Sequence, residues 1–263
     1  MSGARSFVAS RMWSSDERES GSTAMKDIIV LARPFALAVV VMAASLAPAQ
    51  QPSPTAGQNP PQTQAAGAQA VVDEWRDEFD GEGLDSTKWE PYTFEGGGGG
   101  KIEVKDNQLR MRGMGGSRTG VRSKQSFRGD RFYVEATVSK VGTRTPQPGE
   151  SGFPPGYAIL TVLFDGNSVN RLEWVLRSDG IFEAWQSFDG KLERFDNGKL
   201  ATKEKNPRLG IGRRGEQVFF MLNREVGLER TIRGLSSNFK VMLYGFGSSE
   251  NNWDAVYVQT PKQ

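Results

Sequence analysis

The chain has 263 residues, with 33 Lys and Arg against 31 Asp and Glu, a formal net charge of +2, and neither histidine nor cysteine. The balanced charge gives no basic excess for a nucleic-acid partner. The missing residue types exclude Ser-His-Asp and Cys-His catalysis, zinc held by His or Cys, iron–sulfur clusters and disulfides. Any chemistry must therefore use carboxylates, Lys, Tyr, Ser or Thr, or a hard cation held by oxygen atoms.

The N-terminal part of the chain has no pattern of a folded domain. Residues 1–24 are polar and shapeless, so we interpret them as an upstream extension and Met25 as the true start. A charged segment, an apolar run of about a dozen residues and the end Ala47-Pro48-Ala49 predict a signal peptide over 25–49. The apolar run is too short for a stable membrane span. We therefore expect a secreted or periplasmic protein.

Residues 50–69 are rich in Pro, Gln and Ala and carry no charge. Such a segment cannot bury enough apolar surface to offset the entropy of ordering it, so we predict a disordered tether. Residues 70–263 then form one domain, because no Pro-, Gly- or Ser-rich linker interrupts them.

Within 70–263 the apolar residues alternate with polar ones at a period of two, as in the segment from Phe132 to Ser139. Similar runs end at Asp-Gly, Asn-Gly or Arg-Gly pairs, which supply the positive φ angles that hairpins need. About a dozen short strands without a helical period predict an antiparallel β-sandwich or barrel. The predicted strands include 157–164, 171–177, 181–188, 191–195, 216–223, 239–246 and 253–259.

The segment from Gly210 to Gly215 matches the spacing G-x-G-x-x-G of dinucleotide sites. A strand-forming run follows it where that fingerprint requires a helix, so we predict a hairpin and no nucleotide site.

One hairpin has two possible registers. A two-residue Asp-Gly turn would place Trp174 opposite Trp185 and would mix charged and apolar residues on both faces. A three-residue loop ending at a left-handed Gly180 pairs Trp174 with Ala184 and separates the faces cleanly. We therefore favour the second register. It gives one polar face, which carries Arg171, Glu173, Arg177, Glu183 and Trp185.

Three motifs give the sequence a family resemblance. Asp77-Glu78-Phe79-Asp80-Gly81 with Lys88-Trp89 resembles the opening of laminarinase-like β-glucanases. The stretch 120–136 is similar to that family's paired strands around "SK…F…G.FE", and 253–258 is similar to its closing "D.V.V" strand. These glucanases belong to the concanavalin A-like lectin/glucanase superfamily. The resemblance implies an all-β, antiparallel jelly-roll sandwich of the concanavalin A-like type.

The resemblance fails at the catalytic strand. The family carries a Glu-x-Asp-x-x-Glu signature, whose outer acids are the nucleophile and the acid/base. If Glu173 stands for the first acid, Val175 and Ser178 occupy the other two positions, and Arg177 excludes a shifted alignment. We therefore expect loss of the glucanase mechanism. Glu183 on the neighbouring strand could serve as a relocated second carboxylate.

Some members of the superfamily bind calcium, and Asp77, Asp80 and Asp254 could ligate it through oxygen atoms. The alternative is that these three acids have structural roles. Apart from such an ion, we expect no cofactor.

The polar face allows two interpretations. Sugars stack on exposed aromatic rings while charged side chains bind their hydroxyls, and Trp185 with its four charged neighbours supplies both parts. Alternatively, the charges form cross-strand ion pairs that Trp185 merely covers.

Three functions follow from these patterns. The first is a non-catalytic, lectin-like domain that binds a glycan or polysaccharide on the polar face. The second is a glycoside hydrolase or lyase that uses Glu173 and Glu183 as relocated acids. The third is a structural interaction module of the cell envelope.

Overall fold

The computed structural model describes residues 72–93, 99–114, 118–146, 152, 154–196 and 198–261. The predicted upstream extension, signal peptide and tether lie outside these residues and stay predictions. No described residue belongs to a helix long and apolar enough to cross a membrane.

The regular structure in the described ranges consists of β-strands, and all pairings between them are antiparallel. In chain order they are β1 (Val72–Asp77), β2 (Trp89–Thr93), β3 (Lys101–Lys105), β4 (Gln108–Arg112), β5 (Arg118–Ser123), β6 (Phe127–Arg128), β7 (Arg131–Val141), β8 (Tyr157–Phe164), β9 (Arg171–Arg177), β10 (Phe182–Phe188), β11 (Lys191–Arg194), β12 (Arg208–Arg214), β13 (Gln217–Leu222), β14 (Glu225–Thr231), β15 (Asn238–Phe246) and β16 (Glu250–Pro261).

The strands form two sheets of eight. Sheet A has the order β14-β13-β12-β7-β16-β4-β3, and β1 also pairs with β16. Sheet B has the order β11-β10-β9-β8-β15-β5-β2, and β6 also pairs with β15. The predicted all-β, antiparallel jelly-roll sandwich is therefore confirmed.

The core lies between the sheets, where each strand directs every second side chain. From β7 of sheet A, Phe132 and Val134 point inward, and the Phe132 ring lies 4.3 Å from that of Phe239 on β15 of sheet B. Trp89, Trp174 and Trp253 are fully buried. Burying a large apolar side chain stabilises a fold by about 1.5–3 kcal/mol, so these aromatic residues contribute strongly to holding the sheets together.

The segment from Gly210 to Gly215 is a hairpin, as predicted. Its residues 210–214 belong to β12, which pairs with β13 so that Arg214 lies opposite Gln217. Gly215 occupies the two-residue turn with a φ of 61°, which glycine adopts readily. No helix begins here, so the structural context of a dinucleotide site is missing.

The described residues contain more strands than the sequence pattern indicated. Two strands that we missed, β1 and β14, lie at the margins of sheet A, and most of their side chains are exposed. A strand that buries few side chains has little apolar alternation, so periodicity alone does not reveal it.

Candidate functional site

The hairpin of β9 and β10 has the predicted three-residue loop. Leu176 lies opposite Phe182 and Trp174 opposite Ala184, and Gly180 ends the loop with a φ of 83°. The prediction of this register is confirmed. It follows from the side-chain period of two, because a slip of one residue would have turned the apolar set outward.

The inner face of this hairpin is part of the core. Trp174 is fully buried, and its ring lies 5.0 Å from Phe182 and 5.4 Å from Phe220 of sheet A. Its indole N–H donates to the backbone carbonyl of Met221 at 2.8 Å. The five predicted site residues therefore project from the outer face of sheet B.

Glu183 lies at the centre of the outer face of the hairpin. Its Oε1 accepts a hydrogen bond from Arg177 Nη1 at 3.1 Å and lies 3.3 Å from Arg194 Nη1. Its Oε2 accepts the indole N–H of Trp185 at 3.0 Å. Only 4% of the Glu183 side chain is exposed. This carboxylate therefore binds two guanidinium groups and fixes the edge of an indole ring.

Each of the two arginines also binds an aspartate with two hydrogen bonds. Arg177 reaches Asp179 at 3.1 and 2.6 Å, and Arg194 reaches Asp196 at 2.9 Å for both bonds. Paired bonds of this kind fix the plane of a guanidinium as well as its position. We call Glu183 with these two arginines and two aspartates the Glu183 network.

The pKa values of Arg177, Arg194 and Asp196 are shifted in the direction that favours their charged forms. Burial acts to lower the pKa of Arg177, but its bonds to Asp179 and Glu183 outweigh this effect and raise it. Its bond to Asp196 is the main cause of the raised pKa of Arg194. Burial acts to raise the pKa of Asp196, yet the pKa is lowered by bonds from Arg194 and from two backbone N–H groups.

Glu173 forms a second, more deeply buried cluster on the same face. Its Oε1 accepts hydrogen bonds from Arg171 Nε at 2.5 Å and from the Tyr244 hydroxyl at 2.7 Å. Arg171 also donates to the carbonyl of Ser168. Burial, followed by the charge of Glu173, raises the pKa of Tyr244 well above its usual range. Tyr244 is therefore a hydrogen-bond donor in this cluster.

Thr161 on β8 lies directly opposite Glu173 and is fully buried. Its hydroxyl has no hydrogen-bond partner among the described residues.

Glu173 and Glu183 lie on the same face of neighbouring strands but not directly opposite each other. Glu173 pairs with Trp185, and Glu183 pairs with Val175. Diagonal neighbours of this kind are about 7–8 Å apart at Cα. A retaining glycosidase needs a nucleophile and an acid with carboxyl groups about 5–5.5 Å apart. Here each carboxylate has an oxygen that already accepts a hydrogen bond from an arginine, Glu173 from Arg171 and Glu183 from Arg177.

The end of sheet B opposite the hairpin carries a further set of charged and aromatic side chains. Arg122 Nη2 lies 2.8 Å from Glu90 Oε1, and its guanidinium carbon lies 4.4 Å from the centre of the Tyr92 ring. Lys240 lies 3.6 Å from the same carboxylate. The hydrogen bond from Arg122 is the main cause of the lowered pKa of Glu90. The outer face of sheet B thus combines arginine, carboxylate and aromatic groups from β2 to β11.

The sequence analysis missed Tyr244, Arg194 and Asp196. Tyr244 lies on β15, which β8 separates from the strand of Glu173. The two residues are 71 positions apart in sequence. Local alternation cannot predict such a contact. Arg194 and Asp196 follow the predicted hairpin, and their spacing of two places both side chains on one side of an extended chain. That spacing is the feature of the sequence from which the Arg194–Asp196 pair could have been predicted.

The three calcium candidates have other partners or are exposed. Asp77 accepts the indole N–H of Trp89 at 2.6 Å and the backbone N–H of Phe79 at 3.1 Å. Asp254 accepts a hydrogen bond from Gln108 at 2.9 Å, and Asp80 is exposed. Within the described ranges, no three Asp, Glu, His or Cys side chains form a group that could hold a metal ion. Calcium binding stays a prediction.

Comparisons with known proteins give a result at the level of structure. No protein-family model matches the chain, and no curated protein matches it. Solved structures do. SCLam, a non-specific endo-β-1,3(4)-glucanase from family GH16, has 10% identity and a TM-score of 0.56. That match covers 73% of this chain and 92% of SCLam.

Two further solved structures match over a similar range. The endo-β-1,3-glucanase from Pyrococcus furiosus has 11% identity and a TM-score of 0.51, over 72% of this chain and 94% of that one. A Bacillus subtilis protein of unknown function with a galectin-like fold has 13% identity and a TM-score of 0.52, over 73% and 100%. The predicted resemblance is confirmed, and this chain has the concanavalin A-like fold of the laminarinase-type glucanases.

Proposed function

We propose that the protein binds a glycan, without catalysis, on the outer face of sheet B. The observation that carries this proposal is the way Trp185 is held. Its ring is half-buried, and its indole N–H is bonded to Glu183, whose carboxylate also binds Arg177 and Arg194. An aromatic ring in a fixed orientation, bordered by guanidinium groups in fixed positions, suits the apolar face and the hydroxyls of a sugar.

Order in the free protein favours binding. The planes of Arg177 and Arg194 are set by paired bonds to Asp179 and Asp196 before any ligand arrives. Long arginine side chains that are already immobile lose little further entropy on binding, so more of the interaction energy contributes to affinity. The presence of glucanases among the structural neighbours supports a polysaccharide as the ligand class.

The test is retention of the full-length protein in native gels that contain laminarin, mixed-linkage β-glucan, xylan or mucin. We expect slowed migration in at least one gel and loss of most of that retention in Trp185→Ala. Trp185→Tyr is the matched control, because it keeps an aromatic ring with a donor and should keep most of the retention. Equal retention of Trp185→Ala and the parent protein would contradict this site, and no retention in any gel would favour the structural module.

A hydrolase or lyase that uses Glu173 and Glu183 is the second candidate, because both carboxylates lie on one face of adjacent strands. Their ion pairs argue against it. We therefore expect no reducing sugar from β-1,3- or mixed-linkage glucans. Turnover that survives repurification and disappears in Glu173→Gln would overturn the non-catalytic proposal.

We infer that this binding takes place outside the cytoplasm. The inference rests on the predicted signal peptide over 25–49 and on the polysaccharide ligand. N-terminal sequencing of the mature protein should give a start near Gln50. A soluble cytoplasmic protein that retains residues 35–46 would contradict it.

A further inference from the structure

The outer face of sheet A carries a second group of aromatic and charged side chains. Across the sheet, Gly210 of β12 lies beside Glu135 of β7, and Glu135 lies beside Tyr257 of β16. Tyr133 precedes Glu135 by two residues and projects from the same face. We call Tyr133, Glu135, Arg208, Arg224 and Tyr257 the tyrosine–arginine surface. It faces away from the polar face of sheet B.

Glu135 organises this surface. Its Oε2 accepts hydrogen bonds from the Tyr133 hydroxyl at 2.5 Å and from Arg224 Nε at 3.1 Å, and Arg208 Nη1 lies 3.9 Å from Oε1. Glu135 is buried, whereas 65% of the Arg224 side chain and 46% of the Arg208 side chain are exposed. The carboxylate thus holds two arginines that still present donors to the solvent.

The two tyrosine rings are also held by their hydroxyls. Tyr257 donates to Glu74 Oε1 at 2.8 Å, and the centres of the Tyr133 and Tyr257 rings are 6.4 Å apart. Burial first, and then the neighbouring carboxylate, raises the pKa of Tyr133, and the same causes raise the pKa of Tyr257 to about 12. Both rings remain neutral, half-buried and fixed in orientation.

A glycine lets Tyr133 lie close to the sheet. A Cβ atom at Gly210 would lie 3.2 Å from Cε2 of Tyr133 and 3.1 Å from Cβ of Met221. Glycine inside a strand weakens the strand, and it often marks a place where another group must approach closely. At Gly210 that group is the Tyr133 ring.

Arg224 occupies a backbone position that does not suit it. It is the second residue of the two-residue turn between β13 and β14, with a φ of 72°, after Asn223 with a φ of 52°. Glycine is the preferred residue at that position of such a turn. The strain of a non-glycine residue there offsets the small contribution expected of an arginine whose side chain is 65% exposed. Folding stability therefore does not explain an arginine at this position.

We propose that the tyrosine–arginine surface is a second glycan-binding site. A sugar would stack on Tyr257 and Tyr133 while Arg224 and Arg208 donate to its hydroxyls. The ligand class rests on the proposed function of sheet B, but the residues are independent of it. Because the two sites are on opposite outer faces, one molecule binds two polysaccharide chains at once and cross-links them.

The test uses the full-length protein carrying Trp185→Ala, so that the remaining retention in the gels measures binding at the second site alone. The probe is the polysaccharide of the gel panel that retains this variant most strongly. Adding Tyr257→Ala or Arg224→Gly should weaken retention about tenfold, as expected for one lost stacking or charged contact. Arg224→Gly should melt at the same or a higher temperature than its parent. Arg110→Ala is the matched control, because Arg110 is an ion-paired arginine of β4 on the same outer face of sheet A.

Three results would overturn this proposal. Complete loss of retention in Trp185→Ala alone would leave sheet B as the sole site and the proposed function intact. Unchanged retention after both Tyr257→Ala and Arg224→Gly would show that the surface does not bind. A clear fall in melting temperature for Arg224→Gly would assign Arg224 a structural role. By contrast, retention that depends on Tyr257 and not on Trp185 would support this site and contradict the sheet B site.

Discussion

Each face of the β9–β10 hairpin carries one tryptophan whose indole N–H donates a hydrogen bond. The two tryptophans differ in their burial and in the side chains that surround them. Trp174 is fully buried among rings of both sheets, whereas Trp185 is half-buried against the carboxylate of Glu183. The inner face stabilises the fold by removing apolar surface from water. The outer face is held by ion pairs, whose net contribution is small because desolvation offsets their attraction. A fixed but weakly stabilising surface is what a binding site needs.

The largest effect should come from the inner face. Trp174→Ala leaves a cavity between the sheets and an unpaired carbonyl at Met221, so we expect a loss of about 3–5 kcal/mol in the free energy of unfolding. Urea denaturation followed by circular dichroism measures it. Trp174→Phe, which keeps a ring in the core, should lose clearly less. A loss below that of Trp185→Ala would reverse the assignment of the two faces.

An intermediate effect should come from Glu183→Gln. The variant keeps the shape of the side chain but leaves Arg177 and Arg194 without the carboxylate charge that faces them. Removing one partner of a buried ion pair is costly even where the intact pair contributes little net stability, so we expect a loss of about 1.5–3 kcal/mol in the free energy of unfolding. The same denaturation experiment measures the loss. Glu193→Gln on β11 is the control, since Glu193 is exposed and its change should have little effect. Equal losses for the two variants would mean that the Glu183 network does not stabilise the hairpin.

A smaller effect on folding is expected for Trp185→Ala, because surface substitutions usually change stability by about 0.5 kcal/mol and this ring is only half-buried. Its effect on ligand affinity should be larger, about 1–3 kcal/mol for the loss of a stacking ring. Calorimetric titration with the polysaccharide retained in the gels measures the affinity. A variant that unfolds easily and binds normally would assign Trp185 to the fold.

The smallest effect should be a dependence of folding stability on pH that involves Asp196 of the Glu183 network. The pKa of Asp196 is lowered below its ordinary value of 3.8 in the folded protein. Its contribution to stability is therefore complete above pH 3.8 and is lost as the pH falls through the folded pKa. Unfolding at a series of pH values down to 3 should show a shallower loss in Asp196→Asn than in the parent protein. Identical slopes would show that Asp196 is not coupled to folding.

Sequence analysis predicted the features that depend on local periodicity. The register of the hairpin and the faces of Trp174 and Trp185 follow from alternation, because only one register separates charged from apolar residues. The predicted bounds of β8 and β9 also match those in the structure. β8 is an almost continuous apolar run that is buried on both faces, so its bounds follow from the polar turn residues after it and not from alternation.

Contacts between strands that are distant in sequence could not be predicted in this way. The bond between Tyr244 and Glu173 depends on β8 pairing with both β9 and β15, which no local pattern records. The tyrosine–arginine surface likewise joins residues of β7 and β16 with a turn of sheet A. In both cases each residue on its own resembles an ordinary exposed polar side chain.

The positions of the last two strands determine the order in which the domain can fold. β15 lies between β8 and β5 in the middle of sheet B, and β16 lies between β7 and β4 in the middle of sheet A, where it also pairs with β1. Until these strands are synthesised, each sheet is divided into two groups of paired strands, and β1 and β6 lack the strand with which they pair. The pairing of β1 with β16 joins positions as distant as Glu74 and Tyr257, which are 183 residues apart. Such non-local pairing slows folding, and the two sheets can be completed only after β15 and β16 have been made.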